Sequence, residues 1–140
     1  MVSCPEEQAK NIRARAMKIL LIFPKWTQNY GMISYFARKA SVWPPLNLAY
    51  LAAIAENLGH SVKILDGEAQ DIPLEKMIVE AGEFKPDIIG LTATTPFFQF
   101  SLETAQRLKS SFPEIPVVIG GPHISVLRQE GFFECFDYGF

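Results

Sequence analysis

Two short apolar segments constrain the fold of this chain more than any other feature of its sequence. Asp87–Leu91 and Val117–Ile119 contain runs without polar alternation, which are typical of strands buried on both faces of a parallel sheet. Small or rigid residues follow both runs: Thr92, Thr94 and Pro96 in one case, Gly120, Gly121 and Pro122 in the other. Ligands of open α/β sheets bind outside the carboxyl ends of the strands. The sequence therefore predicts a binding site at these two strand ends.

Strands and helices alternate along the rest of the chain, which predicts βαβ units and a parallel sheet. Besides the two runs above, we predict strands over Met17–Phe23 and Ser61–Leu65 and the start of a fifth at Phe136–Phe140. The predicted helices are Leu46–Leu58, Pro73–Phe84, Phe100–Phe112 and a short one over Pro122–Glu130. The fold class is therefore a doubly wound, flavodoxin-like α/β domain with helices on both faces and strand order 2-1-3-4-5.

Length and composition favour one globular domain. A chain of 140 residues can bury a hydrophobic core without disulfides or a structural metal. Its net charge of −2 does not favour binding to nucleic acid. We expect residues 1–16 to be a tail without an assigned role and residues 17–140 to form the domain. No stretch approaches the length of a membrane span. Two cysteines, Cys4 and Cys135, are too few for a disulfide framework, so a cytoplasmic location is expected.

The predicted connection from Pro24 to Pro45 is far longer than the usual link between a strand and a helix. It is rich in aromatic residues, namely Trp26, Tyr30, Tyr35, Phe36 and Trp43. Because it leaves the carboxyl end of the first strand, it can form a lid or one wall of the ligand site. Equally, these aromatic residues can cap the sheet or contact a neighbouring domain.

Several reactions are excluded by missing motifs. The first strand is followed by Phe-Pro-Lys-Trp-Thr, so neither a G-x-G-x-x-G nor a phosphate-binding loop is present. The carboxylates of a receiver domain and a G-x-S-x-G elbow are absent as well. We therefore predict no catalytic residue and no set of metal ligands. His60 is expected at the opposite edge of the sheet, and His123 as a hydrogen-bonding residue near the ligand edge rather than a metal ligand.

The strand-end residues have properties that suit a ligand. Thr92 and Thr94 lie two apart, so on an extended chain both hydroxyls point to the same face. Two hydroxyls can pair with a buried polar group of the ligand, although threonine is also simply a good strand residue. Gly120 and Gly121 permit a close approach of backbone to ligand or a positive φ.

Five sequence blocks in order carry a family resemblance: residues 17–24 (MKILLIFP), 44–53 (PPLNLAYLAA), 58–62 (LGHSV), 85–95 (KPDIIGLTATT) and 118–123 (VIGGPH). From about Met17 to Leu127 the chain resembles the cobalamin-binding N-terminal domain of B12-dependent radical S-adenosylmethionine enzymes. The resemblance implies that cobalamin lies on the carboxyl ends of the strands, with its dimethylbenzimidazole tail beside strands three and four. It implies ten cofactor contacts: Thr92, Thr94, Thr95, Pro96, Gly120, Gly121, Pro122, His123, Trp26 and Tyr30.

The chain departs from better-known cobalamin domains in two respects. The D-x-H-x-x-G motif that supplies a histidine ligand to cobalt is absent, and the connection from Pro24 to Pro45 contains no histidine. The CxxxCxxC motif of the radical half is absent too, so an iron–sulfur cluster and S-adenosylmethionine are expected only in a C-terminal radical domain of a larger parent. The resemblance thus implies the cobalamin module of such an enzyme, a methyltransferase. The alternative is a doubly wound domain that binds a flavin or nucleotide, or serves only for interaction.

Overall fold

The described residues of the computed structural model, 15–27, 43–127, 130 and 132–140, form a sheet of five strands. All strands are parallel and their order is β2-β1-β3-β4-β5, which confirms the predicted topology. The strands are β1 (Lys18–Phe23), β2 (Ser61–Asp66), β3 (Ile88–Thr92), β4 (Val117–Gly120) and β5 (Tyr138–Gly139). The doubly wound α/β class is therefore confirmed.

Within the described residues, four helices connect these strands: α1 (Leu46–Asn57), α2 (Leu74–Phe84), α3 (Phe98–Ser111) and α4 (Pro122–Leu127). α3 begins two residues earlier than predicted, because a 3-10 turn over Thr95–Phe97 leads directly into it. β3 includes Thr92, which was expected just after the strand, because Thr92 pairs with Gly120 of β4. α4 is described over Pro122–Leu127, and residues 128–129 of the helix predicted to extend to Glu130 lie outside the described residues.

β5 is shorter than the fifth strand begun at Phe136 in the prediction. Phe136 itself is buried in the core just before the strand, where it packs near Phe132 and Phe98. Asp137 then bridges two elements: its Oδ2 accepts a hydrogen bond from Val117 N–H at 2.7 Å and lies 2.7 Å from Lys109 Nζ. This carboxylate fixes the entry of β5 at the amino ends of the strands.

The two faces of the sheet are covered differently. α2, α3 and α4 pack on one face over the main core, which is built from fully buried side chains such as Leu20, Ile89 and Ile119. On the other face, a small cluster of Leu21, Leu48 and Ala52 joins α1 to β1. Among the described helices, only α1 contributes to this second cluster. As a result, β3 and β4 line an open cleft on the α1 side.

No helix within the described part of the chain is long and apolar enough to cross a membrane.

Candidate functional site

A cavity of about 610 Å³ lies between α1 and the open face of β3 and β4. Its floor is formed by alternate residues of the two strands, Ile88 and Gly90 from β3 and Val118 and Gly120 from β4. Its other residues include Asn47, Leu48, Leu51, Thr92, Pro122 and Phe140. Small-molecule sites typically enclose about 300–1,000 Å³, with mostly apolar walls and few polar groups. Both the size and the lining of this cavity fit that description.

Missing side chains create the space above the floor. A Cβ built on Gly120 would meet nothing closer than 3.7 Å, the carbonyl oxygen of Phe140. A larger side chain at this position would therefore extend into the cavity without disturbing the backbone. At Gly90 a Cβ would lie 2.8 Å from Cδ2 of Leu21, the movable end of a side chain. The local backbone thus does not require glycine at position 120. The absence of a side chain there instead keeps the cavity open.

Gly121 is glycine for a different reason. Its φ is +105°, and a Cβ would lie 2.7 Å from the carbonyl oxygen of Ala93 and 3.0 Å from Thr92 Oγ1. An L-residue is disfavoured in this conformation and would also clash with backbone. The two neighbouring glycines that the sequence suggested together therefore have separate functions: Gly121 makes the turn into α4, and Gly120 leaves the cavity open.

Thr92 lies where this cavity meets a second one of about 240 Å³. Both cavities are lined by Thr92, Asn47 and Pro122. The Thr92 side chain is buried, its Oγ1 accepts a hydrogen bond from Asn47 Nδ2 at 2.7 Å, and its carbonyl accepts one from Ser101 Oγ at 2.9 Å. Thr94 lines only the smaller cavity and is exposed. The two predicted threonines thus meet in the smaller cavity, with Thr92 held in place on two sides.

Trp26 supports this region from behind. Its ring stacks on Phe97 with centroids 4.7 Å apart, and Phe97 lines the smaller cavity whereas Trp26 lines neither. Glu68, only 2% exposed, holds the backbone here: Oε2 accepts from Trp26 N–H at 3.1 Å and Thr27 N–H at 3.2 Å, and Oε1 accepts from Thr27 Oγ1 at 2.7 Å. The beginning of the long connection is therefore tied to the end of β2.

The other aromatic residues of the long connection divide into two groups. Tyr30, Tyr35 and Phe36 lie outside the described residues. Trp43 is described, and 78% of its side chain is exposed.

His123 belongs to an aromatic cluster beside the cavities. Its side chain is buried and stacks on Phe98, with the ring centroids 4.0 Å apart. Its Nδ1 lies 3.2 Å from Thr95 Oγ1. Thr95, Pro96 and His123 line neither cavity, so their contact with a cofactor stays a prediction. His60 is at the opposite edge of the sheet, where its Nδ1 accepts a hydrogen bond from Met17 N–H at 3.2 Å.

The described residues around the cleft are suited to binding. No group of three or more His, Cys, Asp or Glu side chains that could hold a metal ion occurs within the described ranges. Burial raises the pKa of the Cys135 thiol, which keeps it protonated and unreactive at neutral pH. The polar atoms at the junction are the Thr92 hydroxyl and the Asn47 amide, both neutral. This arrangement can enclose an apolar ring and make a hydrogen bond to it.

Sequence analysis missed three residues of this region. Asn47 is a lone amide in an otherwise apolar first turn of α1, and that contrast is a signal that could have identified it. Gly90 interrupts the apolar run of β3, and an isolated glycine in a strand often marks close approach of another group. Glu68 lies two residues after the end of β2, but its partners Trp26 and Thr27 lie more than forty residues earlier, so no local pattern reveals it.

Fold and cleft together define the class of protein: a doubly wound α/β domain with a small-molecule site under the carboxyl edge of its sheet. Residues 33–139 match the family model described as B12 binding domain. The chain therefore belongs to the B12-binding domain family, and its cofactor is cobalamin. The residues present fit this cofactor, because the floor of the cavity includes two glycines and the buried Thr92 hydroxyl lies at its neck.

Relatives of known name are longer than this chain. It is 34% identical over 121 residues to an uncharacterized methyltransferase of Pyrococcus horikoshii, and 32% identical over 108 residues to an anaerobic magnesium-protoporphyrin IX monomethyl ester cyclase of Rubrivivax gelatinosus. These alignments cover 86% and 76% of this chain but only 25% and 18% of the relatives. The chain thus spans a quarter or less of their length.

A solved structure shares the fold. The crystal structure of a cobalamin-binding protein from Desulfitobacterium hafniense superposes with a TM-score of 0.54 at 20% identity, over 89% of this chain and 53% of that one. At this level of identity the similarity supports the doubly wound architecture alone.

Proposed function

We propose that this domain holds cobalamin by its nucleotide tail, with the dimethylbenzimidazole base in the cavity between α1 and the β3–β4 floor and the corrin ring at the carboxyl edge. The observation that carries the proposal is the open floor at Gly120. The local backbone would accept a side chain at this position, but that side chain would fill the space that the base needs. Thr92, Thr94 and Pro122 surround the passage from the edge to this cavity. Gly121 shapes the turn beside it.

Apolar burial supplies most of the expected binding energy. Burying an aromatic group of about 150–250 Å² at about 25 cal/mol per Å² contributes about 4–6 kcal/mol. A single neutral hydrogen bond contributes about 0.5–1.5 kcal/mol. The apolar area buried in the cavity therefore supplies most of the affinity. The hydroxyl at the neck of the cavity determines which base is accepted and how it is oriented.

We further propose that no histidine of this chain ligates cobalt. The chain contains two histidines. His60 lies at the amino edge of the sheet, and His123 is stacked on Phe98 and paired with Thr95. The lower face of the corrin is then left to residues of the connection after β1, with the ring pair of Trp26 and Phe97 as its support. Tyr30 stays a predicted contact of the same face.

The parent protein is proposed to be a radical S-adenosylmethionine methyltransferase, in which this domain binds the cofactor and a C-terminal domain carries the iron–sulfur cluster. Bound cobalamin supplies the methyl-transfer chemistry there, and the chain alone binds without catalysing. The greater length of the relatives supports a multidomain parent. So does the exposed surface near the end of α1, where Ile54 and Leu58 are exposed by 56% and 71%, since such patches mark interaction surfaces.

An absorbance titration with hydroxocobalamin tests the binding proposal. We expect a spectral change that saturates near one equivalent, and a coloured complex that survives gel filtration. The absence of both would contradict cobalamin binding, and tight binding of a flavin or nucleotide instead would establish the alternative function. His123→Gln should leave the spectrum of the complex unchanged, because no histidine contacts cobalt.

The proposed parent is tested by the coding sequence downstream of Phe140. A CxxxCxxC motif within the following domain is expected. A parent without a three-cysteine cluster would overturn the assignment to radical enzymes and leave cobalamin binding intact.

A further inference from the structure

The hydrogen bond between Asn47 and Thr92 links two elements at the neck of the cavity. Asn47 is in the first turn of α1, and Thr92 is the last residue of β3. The amide Nδ2 donates to the hydroxyl Oγ1 at 2.7 Å, across 45 residues of sequence. Both side chains line both cavities, so the contact lies on the path between the edge of the sheet and the deep cavity.

The hydrogen bond from Asn47 makes the Thr92 hydroxyl an acceptor and leaves its proton for another partner. A threonine hydroxyl has one proton to donate and can accept through its lone pairs. Asn47 uses the hydroxyl as an acceptor, so the Thr92 proton must be donated to another group. Within the described ranges, no protein atom accepts it. A buried donor without an acceptor costs about 1–3 kcal/mol, which a ligand that accepts this proton would recover.

The surroundings direct this proton toward the cavities. On one side the backbone of Gly121 is so close that a Cβ there would lie 3.0 Å from Thr92 Oγ1. The carbonyl of Thr92 already accepts from Ser101 Oγ, and that of Ala93 accepts from His123 N–H. Asn47 occupies a third side. The space toward the two cavities is the direction left for a hydrogen-bond acceptor.

We propose that Asn47 is a positioning residue that makes Thr92 a hydrogen-bond donor, so that the site prefers cobamides whose lower base has a ring nitrogen as acceptor. The inference rests on the proposed function. In cobalamin, the acceptor is the benzimidazole nitrogen that is free once the base has left cobalt. A phenolic lower base has no such nitrogen, and it would leave the Thr92 proton unpaired in the cavity. Sites built around a buried hydrogen bond reject analogues that lack the partner.

The test compares hydroxocobalamin with a cobamide that has a phenolic lower base, in absorbance titrations of the whole chain. The ratio of the two affinities should favour hydroxocobalamin about tenfold more in the wild type than in Thr92→Val, the value of one hydrogen bond, because the cost of detaching the base from cobalt is the same for both proteins. Asn47→Asp should remove this preference, because a carboxylate at position 47 accepts the Thr92 proton itself. Thr92→Val should remove it as well, since no donor remains. Asn47→Ala should reduce the preference less than Asn47→Asp, because the hydroxyl keeps its proton and loses only its orientation.

Asn57→Ala, the same truncation at the exposed end of α1, is the matched control and should retain the wild-type preference. Circular dichroism and thermal midpoints verify that each variant is folded. If Asn47→Asp keeps the wild-type ratio between the two cobamides, the positioning role is wrong although cobalamin binding stands. A wild-type ratio equal to that of Thr92→Val would overturn it too. If the wild type binds neither cobamide, the proposed function itself fails, which is a distinct result.

Discussion

The two faces of the sheet use the same strands for opposite purposes. Toward α2 and α3, β3 and β4 direct large side chains such as Leu91 and Ile119, which are almost completely buried. Toward α1, the same strands present Gly90 and Gly120 on the floor of a cavity. Successive residues of a strand point to opposite faces, so the five residues of β3 contribute both to the core and to the floor of the cavity. Stability and ligand affinity should therefore respond to different substitutions a single residue apart.

The largest expected effect on stability is on the covered face. Leu108 of α3 is completely buried, and Leu108→Ala should lower the free energy of unfolding by about 2–5 kcal/mol through lost burial and a new cavity. Urea unfolding measures this change. The affinity of the folded protein for hydroxocobalamin should stay at the wild-type value.

Leu51→Ala is the matched substitution on the α1 side. Leu51 lines the cavity and is 55% exposed, so this variant should lose less than about 1 kcal/mol of stability and bind hydroxocobalamin several-fold more weakly. Equal stability losses in the two leucine variants would show that the α1 face is part of the folding core, and the contrast between the faces would be wrong.

The largest expected effect on binding comes from filling the cavity. Gly120→Leu places a side chain on the open floor and should weaken hydroxocobalamin binding by about 100-fold or more, while the unfolding free energy changes by less than about 1 kcal/mol. Titration and urea unfolding of the same preparation give both values. Gly121→Ala should give the opposite result, a stability loss of at least about 1–2 kcal/mol from the positive φ. If Gly120→Leu binds hydroxocobalamin as tightly as the wild type, the base does not occupy this cavity.

Glu68 tests how the region after β1 is held. Glu68→Ala leaves the N–H groups of Trp26 and Thr27 and the Thr27 hydroxyl without their acceptor, and should cost about 1–3 kcal/mol in urea unfolding. Glu68→Gln keeps one acceptor oxygen and should cost less. Glu83→Ala on the exposed side of α2 is the control, with little expected change. A Glu68→Ala variant as stable as the wild type would show that this carboxylate does not anchor the connection.

The smallest expected effect is a pH dependence at the amino edge. Partial burial acts to raise the pKa of Asp137, but hydrogen bonds from Lys109 and the Val117 N–H outweigh it and hold the pKa below its usual range. A carboxyl with a lowered folded-state pKa stabilises the fold above the unfolded value, and loses that contribution as the pH falls through the folded value. The contribution is at most about 1 kcal/mol, because the side chain is partly exposed.

The measurement compares urea unfolding of the wild type and Asp137→Asn at pH 6.5 and below about pH 3.5, which lies under the usual aspartate pKa. The wild type should be the more stable protein at the higher pH, and the difference should shrink at the lower one. A difference that grows on acidification would mean that the sign of the shift is wrong.

The topology was predictable from sequence, because each strand and helix has a local pattern. Uninterrupted apolar runs predict β3 and β4, and the right-handed crossover rule leaves few ways to order the five strands. The site was predictable only in its location. Thr92 and Gly120 could be placed at the carboxyl edge because parallel strands all end there. Strand ends shifted by a residue where pairing, as between Thr92 and Gly120, extended β3 beyond its apolar run.

The remaining features depend on contacts between distant residues. The bond from Asn47 to Thr92 spans 45 residues, and those from Trp26 and Thr27 to Glu68 span more than forty. No periodicity reveals them. The difference between Gly120 and Gly121 depends on the sign of φ, which the sequence leaves open for any glycine.

This difference between adjacent glycines has a consequence for how the sequences of relatives should vary. Position 121 is constrained by the backbone turn, so it should stay glycine in every homologue that keeps the turn, including those that have lost the cofactor. Position 120 is constrained by whatever fills the cavity, so it is free to acquire a side chain once selection for the ligand ends. A homologue with leucine or phenylalanine at 120 and glycine at 121 would then be a domain that has kept its architecture and abandoned cobalamin.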